Sequence, residues 1–327
     1  MRQKAHGLGF LRDQRFLLLI ILVVINVLFG LTSRNFFELS NYYNMLKQMA
    51  MIAITGSAAT LLMMTGNFDL STGSTVACTA VLYTLMATQG IPMAAAAALA
   101  VLAGVLVGVV NGTFVARVGI PPFIATLGMM YIVRGLGLVA CNGRSIRENI
   151  PPGFSSLARG DFLGIPIPVY LIALFVLVFW LLERRSLLGK YAMAIGGNKN
   201  AAFFSGINAG AVIFWIFVMV GALAAFSGVM MASRFGAGDP RSGNGFEFDV
   251  IVAILLGGTS LSGGKGSVIG MLLGAMVVAM LGNGLDMLNV LTFWQSILKG
   301  AILVAAVILN EKILATARKR SAQAVTA

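Results

Sequence analysis

At 327 residues, with 58% apolar and only 10% charged residues, the chain is not an ordinary soluble domain, in which about 25% of residues are charged. The net charge of +12 comes from lysines and arginines in short loops and tails between apolar runs, not from a basic stripe interleaved with aromatics. The composition is that of a polytopic membrane protein whose non-protein partner is lipid, and it excludes a nucleic-acid surface.

The N-terminal tail, residues 1–15, carries the lone histidine, His6, with no Cys, Asp or Glu spaced to complete a metal set, and no cofactor is expected. The apolar run that follows has basic residues ahead of it but no small-residue cleavage site behind it, which marks a retained span. Ten segments approach the length needed to cross about 30 Å of hydrocarbon. They run near 16–31, 45–65, 71–89, 93–116, 123–140, 166–182, 211–232, 249–262, 267–287 and 294–310. The eighth is too short to span comfortably and is expected to be tilted, broken or re-entrant.

Between the second and third segments, "MMTGNFDLSTGS" places Asn67, Asp69, Ser71, Thr72 and Ser74 where the flanks promise hydrocarbon. A carboxylate at the bilayer centre costs about 2.5–3.5 kcal/mol on insertion scales, so Asp69 needs a partner, a water-filled cavity or a helix terminus. Asp69, Ser71 and Thr72 are suited to cap a helix beginning near Gly73. Direct contact with a polar solute is the other reading. Arg134, late in the fifth segment, and Lys47 and Lys299, near the starts of theirs, are expected to snorkel toward the membrane faces. Cys78 and Cys141 read as small buried thiols.

Two loops exceed a simple connection. "CNGRSIRENIPPGFSSLARGDFLGIPIP" has the make-up of a cap or an external contact. The loop 183–210, "RRSLLGKYAMAIGGNKNAAFFSGIN", predicts a short surface helix broken by Gly196 and Gly197. Further on, "FEFDVIVAILLGGTSLSGGKGS" holds Asp249, Thr259 and Ser260 in a second helix break, near 249–267. It imitates a phosphate loop, but Thr259 stands where the leading glycine belongs and Gly266 follows Lys265, so nucleotide hydrolysis is excluded. No hydrolytic triad or paired carboxylates occur, and the chain is expected not to be an enzyme.

The polar breaks around Asp69 and Asp249, the spaced glycines (Gly104 and Gly108; Gly270 and Gly274) and the Asn-Gly pairs at 111 and 283 outline a faint repeat, inverted between the halves. An even count of spans puts both termini on one side. Basic residues favour that side roughly two to one, which makes both termini cytoplasmic under the positive-inside rule. The expected fold is all-α: a single transmembrane domain over 1–327, with tails 1–15 and 311–327 and an inner loop 183–210.

Four stretches in order, "GNFDLSTGS", "PPFIATLGMMYIVRGLG", "LGKYAMAIGGNKNAAFFSGI" and "FEFDVIVAILLGGTSLSGGKGSVIGMLLGAMVV" with its sequel "WQSILKGAILVAAV", resemble the monosaccharide permeases of bacterial ABC importers, the ribose, xylose and arabinose type. The resemblance runs from the second span to the last. It implies a bacterial inner-membrane pore of two permease copies or paralogues, two cytoplasmic ABC ATPase subunits, and a periplasmic sugar-binding protein. It also implies that the inner loop is the ATPase coupling segment, which marks Gly196, Gly197, Asn198, Ala201, Ala202, Ser205 and Gly206. Phe203 and Phe204 stand where the family commonly has a basic or polar residue, implying a more apolar contact. The competing expectation is a proton- or sodium-coupled secondary transporter.

Overall fold

The computed structural model describes residues 14–305 and 307–308; expectations for the rest of the two tails lie outside these. Helices stand at each of the ten predicted positions: α1 (Gln14–Thr32), α2 (Leu39–Met64), α3 (Thr72–Thr88), α4 (Met93–Gly112), α5 (Pro122–Ala140), α7 (Ile167–Arg185), α10 (Ala209–Phe235), α11 (Phe246–Leu256), α12 (Val268–Met287) and α13 (Thr292–Ala305). A π-helical turn, Thr113–Val118, prolongs α4. Short elements fill the loops: α6 (Ser156–Arg159), the hairpin β1 (Asp161–Phe162) with β2 (Ile165–Pro166), α8 (Leu187–Gly197) and α9 (Lys199–Phe204).

Among the described residues six of these helices are long and apolar enough to cross a membrane: α2, α4 with its π turn, α5, α7, α10 and α12. That is fewer than the ten segments named from hydropathy. The shortfall is sharpest at α11, whose 11 residues rise only about 16 Å.

The apolar window of α2 is 78% buried and that of α4 only 22%, so α2 forms the centre of the bundle and α4 its wall. α10 lies beside both. Gly104 and Gly108 of α4 meet Gly221 and Phe217 of α10 at backbone distance, where a methyl group on either glycine would strike the opposing chain. Gly270 and Gly274 bring α12 equally close to Gly257 and Ala253 at the end of α11. Lipid tails are as apolar as leucine, so close backbone approach of this kind supplies the packing that hydrophobicity cannot. Exposed Leu, Val and Ile side chains on α1, α4, α5 and α7 form the outer surface.

α3 and α11 begin in the middle of this bundle. Val76 and Thr79 of α3 lie against Gly228 of α10, which sets the start of α3 level with the central turns of α10. Gly73 in turn touches Gly243 and Glu247 at the start of α11. From that meeting point α3 runs to the end of the bundle where Thr84 packs on Gly238, and α11 runs to the opposite end, where Gly263 and Gly264 pack on Gly196. Two non-helical segments lead into the middle from opposite ends, 65–71 ahead of α3 and 236–245 ahead of α11. Backbone of this kind is tolerated at membrane depth only when enclosed by protein or water.

Candidate functional site

The break at 65–71 is built around one carboxylate. Asp69, 7% exposed, accepts hydrogen bonds from the Ser71 backbone N–H (2.7 Å) and the Ser71 hydroxyl (2.6 Å). Asn111, near the end of α4, donates from Nδ2 to Ser71 Oγ (2.9 Å) and to the Asp69 carboxylate (3.3 and 3.4 Å). The Leu70 N–H donates to Thr126 at the start of α5. Asp69 therefore closes an Asx-type turn just before α3 and ties α4 to it. The cap is indirect: Ser71 occupies the N-cap position with helical dihedrals and its side chain makes no capping bond.

The other predicted residues of this break divide. Thr72 donates to the Asp69 carbonyl, keeping it in the turn. Asn67 instead folds back onto Thr65, 2.8 Å from Oγ1. Ser74 is fully buried and its hydroxyl has no hydrogen-bond partner among the described residues.

Asp249 has a partner of its own. It pairs with Lys299 of α13 at 2.9 Å, so Lys299 is held to α11 and does not snorkel. Arg134 also departs from the snorkelling expectation: it hydrogen-bonds Asn244 in the segment that precedes α11. In both cases the cation is engaged by a polar side chain of another segment, because charge within a membrane-spanning helix needs a partner.

Thr259 and Ser260 lie in the loop 257–267, both buried. The loop is knotted by its own backbone, Ser260 N–H to the Lys265 carbonyl at 3.0 Å, and by Thr259 Oγ1 accepting from the Ser267 N–H at 3.3 Å. Its exit is capped twice, since Ser267 Oγ accepts from the Gly270 N–H and Glu183 Oε2 accepts from the Val268 N–H at 2.8 Å. Glu183 went unnoticed in the sequence. The available signal was an acid in the last turn of a helix, where the helix dipole disfavours it, so its purpose had to lie on another element.

In the loop 183–210, α8 continues through both Gly196 and Gly197, and the break falls at Asn198, whose backbone is extended. The expected glycine break is thus corrected. Gly196 is small for another reason: it packs on the Met64 carbonyl and on Gly263 and Gly264, where any side chain would collide. Asn198 starts α9 by accepting from the Ala201 N–H at 3.0 Å. Ser205 Oγ donates to the Ala201 carbonyl, and Gly206 turns the chain with φ +80°. Ala202 is buried, whereas Ala201, Phe203 and Phe204 are exposed, the two rings by 71% and 86%. Two large aromatics thus stand exposed side by side on a six-residue helix at the end of the bundle.

A family model described as the permease component of branched-chain amino acid transport systems matches residues 41–307. The chain is 35% identical to the ribose import permease protein of Escherichia coli (strain K12), over 90% of this chain and 92% of that protein. It is 34% identical to the D-allose transport system permease protein of the same strain, over 90% of each. It is 35% identical to the L-arabinose ABC transporter permease protein of Azospirillum brasilense, over 89% of this chain and 86% of that one. No solved structure matches.

Proposed function

The chain belongs to the permease family whose model spans residues 41–307, and from that premise we propose that it is the membrane subunit of an ATP-driven importer for a monosaccharide or similar polyol. A permease component is a transport subunit, not an enzyme. Its solute is assigned here from relatives named for ribose, allose and arabinose. In this reading the chain crosses a bacterial inner membrane ten times as a single domain, with 236–245 and α11 together making one crossing and both termini on the cytoplasmic side. Its partners are a cytoplasmic ABC ATPase subunit, a periplasmic sugar-binding protein and a second permease copy or paralogue.

One contact carries the mechanism. Gly196, at the end of α8, touches the Met64 carbonyl where α2 gives way to 65–71, and also Gly263 and Gly264 in the loop that follows α11. A force applied to Phe203 and Phe204 by an ATPase would pass through α9 and α8 to the first break and to the far end of α11, the helix that the second break introduces. The order α2, 65–71, α3 is mirrored by α10, 236–245, α11 with reversed direction, which supports an inverted repeat around a central path. Alternating access then consists of the two breaks parting at one end and then the other. Affinity belongs to the delivery protein, because a path must release what it binds.

The test is the complex in proteoliposomes with sugar-loaded binding protein. Ala201→Glu places charge on an exposed position of α9, so the permease is expected to insert and assemble while ATP hydrolysis no longer drives uptake. Uptake at the unmodified rate would remove the role given to this loop.

A further inference from the structure

Three side chains of complementary chemistry lie about the place where the first turns of α3 and α11 meet. Glu247, in the first turn of α11, is 4% exposed and lies against Gly73 in the first turn of α3, and its Oε2 has no hydrogen-bond partner among the described residues. Ser74 is next to Gly73, fully buried, with its hydroxyl equally unpartnered. Arg134 reaches the same level from α5: Thr126 of α5 bonds Leu70, and Gly137 packs on Cys78, so the turn between them faces the start of α3. Its guanidinium bonds Asn244 and acts electrostatically on Glu247, but Nε and Nη2 are buried without partners among the described residues.

Unmet hydrogen-bonding capacity inside a protein is costly and rare, and here acceptors and donors are left over at one place. Resting on the permease reading above, we propose that Glu247, Ser74 and Arg134 form a mid-bundle coordination site for the hydroxyl groups of a neutral polyol in transit. Each hydroxyl of such a solute both donates and accepts, so it answers a carboxylate oxygen, a serine hydroxyl and a guanidinium N–H together. The two helix N-termini add positive potential beside the Glu247 carboxyl group. Glu247 and Arg134 offset one another, so an anionic solute meets the carboxylate and a cationic one the guanidinium, and neither gains what a neutral polyol gains.

The approach to this point is also visible. A cavity of about 510 Å³, within the range of small-molecule sites, lies against the non-helical segment ahead of α11 and is lined by Arg147, Phe235, Asp239 and Arg241. From its floor the chain descends through Gly243, whose backbone rests on that of Gly73. Parting of the two helix starts at that glycine contact would join the cavity to Glu247.

The experiment uses the assembled importer in proteoliposomes with radiolabelled D-ribose, D-allose and L-arabinose, each with its loaded binding protein. Glu247→Gln and Ser74→Ala are expected to lower the number of sugars imported per ATP hydrolysed, about tenfold for Glu247→Gln, the scale of one hydrogen bond to a charged group. Glu247→Asp should recover part of the loss, which a packing defect would not allow. In a separate arm, Ser74→Cys in a background lacking Cys78 and Cys141 is treated with a small cationic methanethiosulfonate in each nucleotide state. Labelling in at least one state is expected. Unchanged sugar per ATP in Glu247→Gln, or no labelling of Ser74→Cys in any state, overturns the site. Failure of the unmodified complex to import any of the three sugars would refute the monosaccharide reading, while the labelling arm still decides the site.

Discussion

Replacing Asp69 tests the first break most sharply, because alanine and asparagine should behave differently there. Asp69→Ala removes the acceptor for the Ser71 N–H, the Ser71 hydroxyl and one Asn111 N–H, all in a region with almost no solvent. Stranding each of these buried Ser71 donors costs about 1.5–3 kcal/mol, so the loss is roughly 3–6 kcal/mol. Asp69→Asn keeps an oxygen for Ser71 and turns an N–H toward Asn111. Asn111 Oδ1 has no partner among the described residues, so its amide can rotate to accept that N–H. The expected cost is then about 1 kcal/mol. At roughly 2 °C per kcal/mol for a chain of this size, the apparent melting temperature in detergent should fall by about 6–12 °C for Asp69→Ala and about 2 °C for Asp69→Asn. Equal losses for the two variants, or a loss under about 2 °C for Asp69→Ala, would refute the account of the turn.

Gly73→Ala drives a methyl group into Glu247 and the Gly243 carbonyl, so the protein is expected to accumulate poorly, as measured by the folded fraction in gel filtration. Glu183→Ala strips the acceptor from the Val268 N–H and should cost about 1–2 kcal/mol, seen as a few degrees of apparent melting temperature; no change would mean Ser267 alone secures the start of α12. Asp249→Asn and Lys299→Met should each destabilise the protein, and the double variant should be more stable than either, because removing one partner strands the other; additive losses in the same melt would show the pair uncoupled. Phe203→Ala with Phe204→Ala should leave the permease folded, since both rings are exposed, but abolish co-purification of the ATPase subunit.

The helices were legible in the sequence because an apolar run of sufficient length leaves the backbone no alternative in lipid. The first break was legible for the converse reason: Asp69 has no place in hydrocarbon unless something receives it. What stayed hidden is long-range. Nothing local in "ARVGI" or "VVNGT" says that Asn111 will meet Asp69, 42 positions away. The segment 236–245 reads as an ordinary polar loop, and only its contacts with Gly73 and Ile146 show that it enters the bundle. Glu247 was overlooked beside the more conspicuous Asp249, although burial separates them: Glu247 has no hydrogen-bond partner for Oε2 among the described residues, whereas Asp249 is paired with a lysine from another helix. Gly196 illustrates the same limit, since a residue that permits close approach and one that breaks a helix are spelled alike.

The claim on which the rest depends is that this chain is a conduit worked by a separate ATPase. Uptake of labelled sugar into proteoliposomes decides it. With the full complex and loaded binding protein, uptake should require ATP and persist when proton and sodium gradients are collapsed. Accumulation of sugar by the purified chain alone, driven only by an ion gradient, would contradict it.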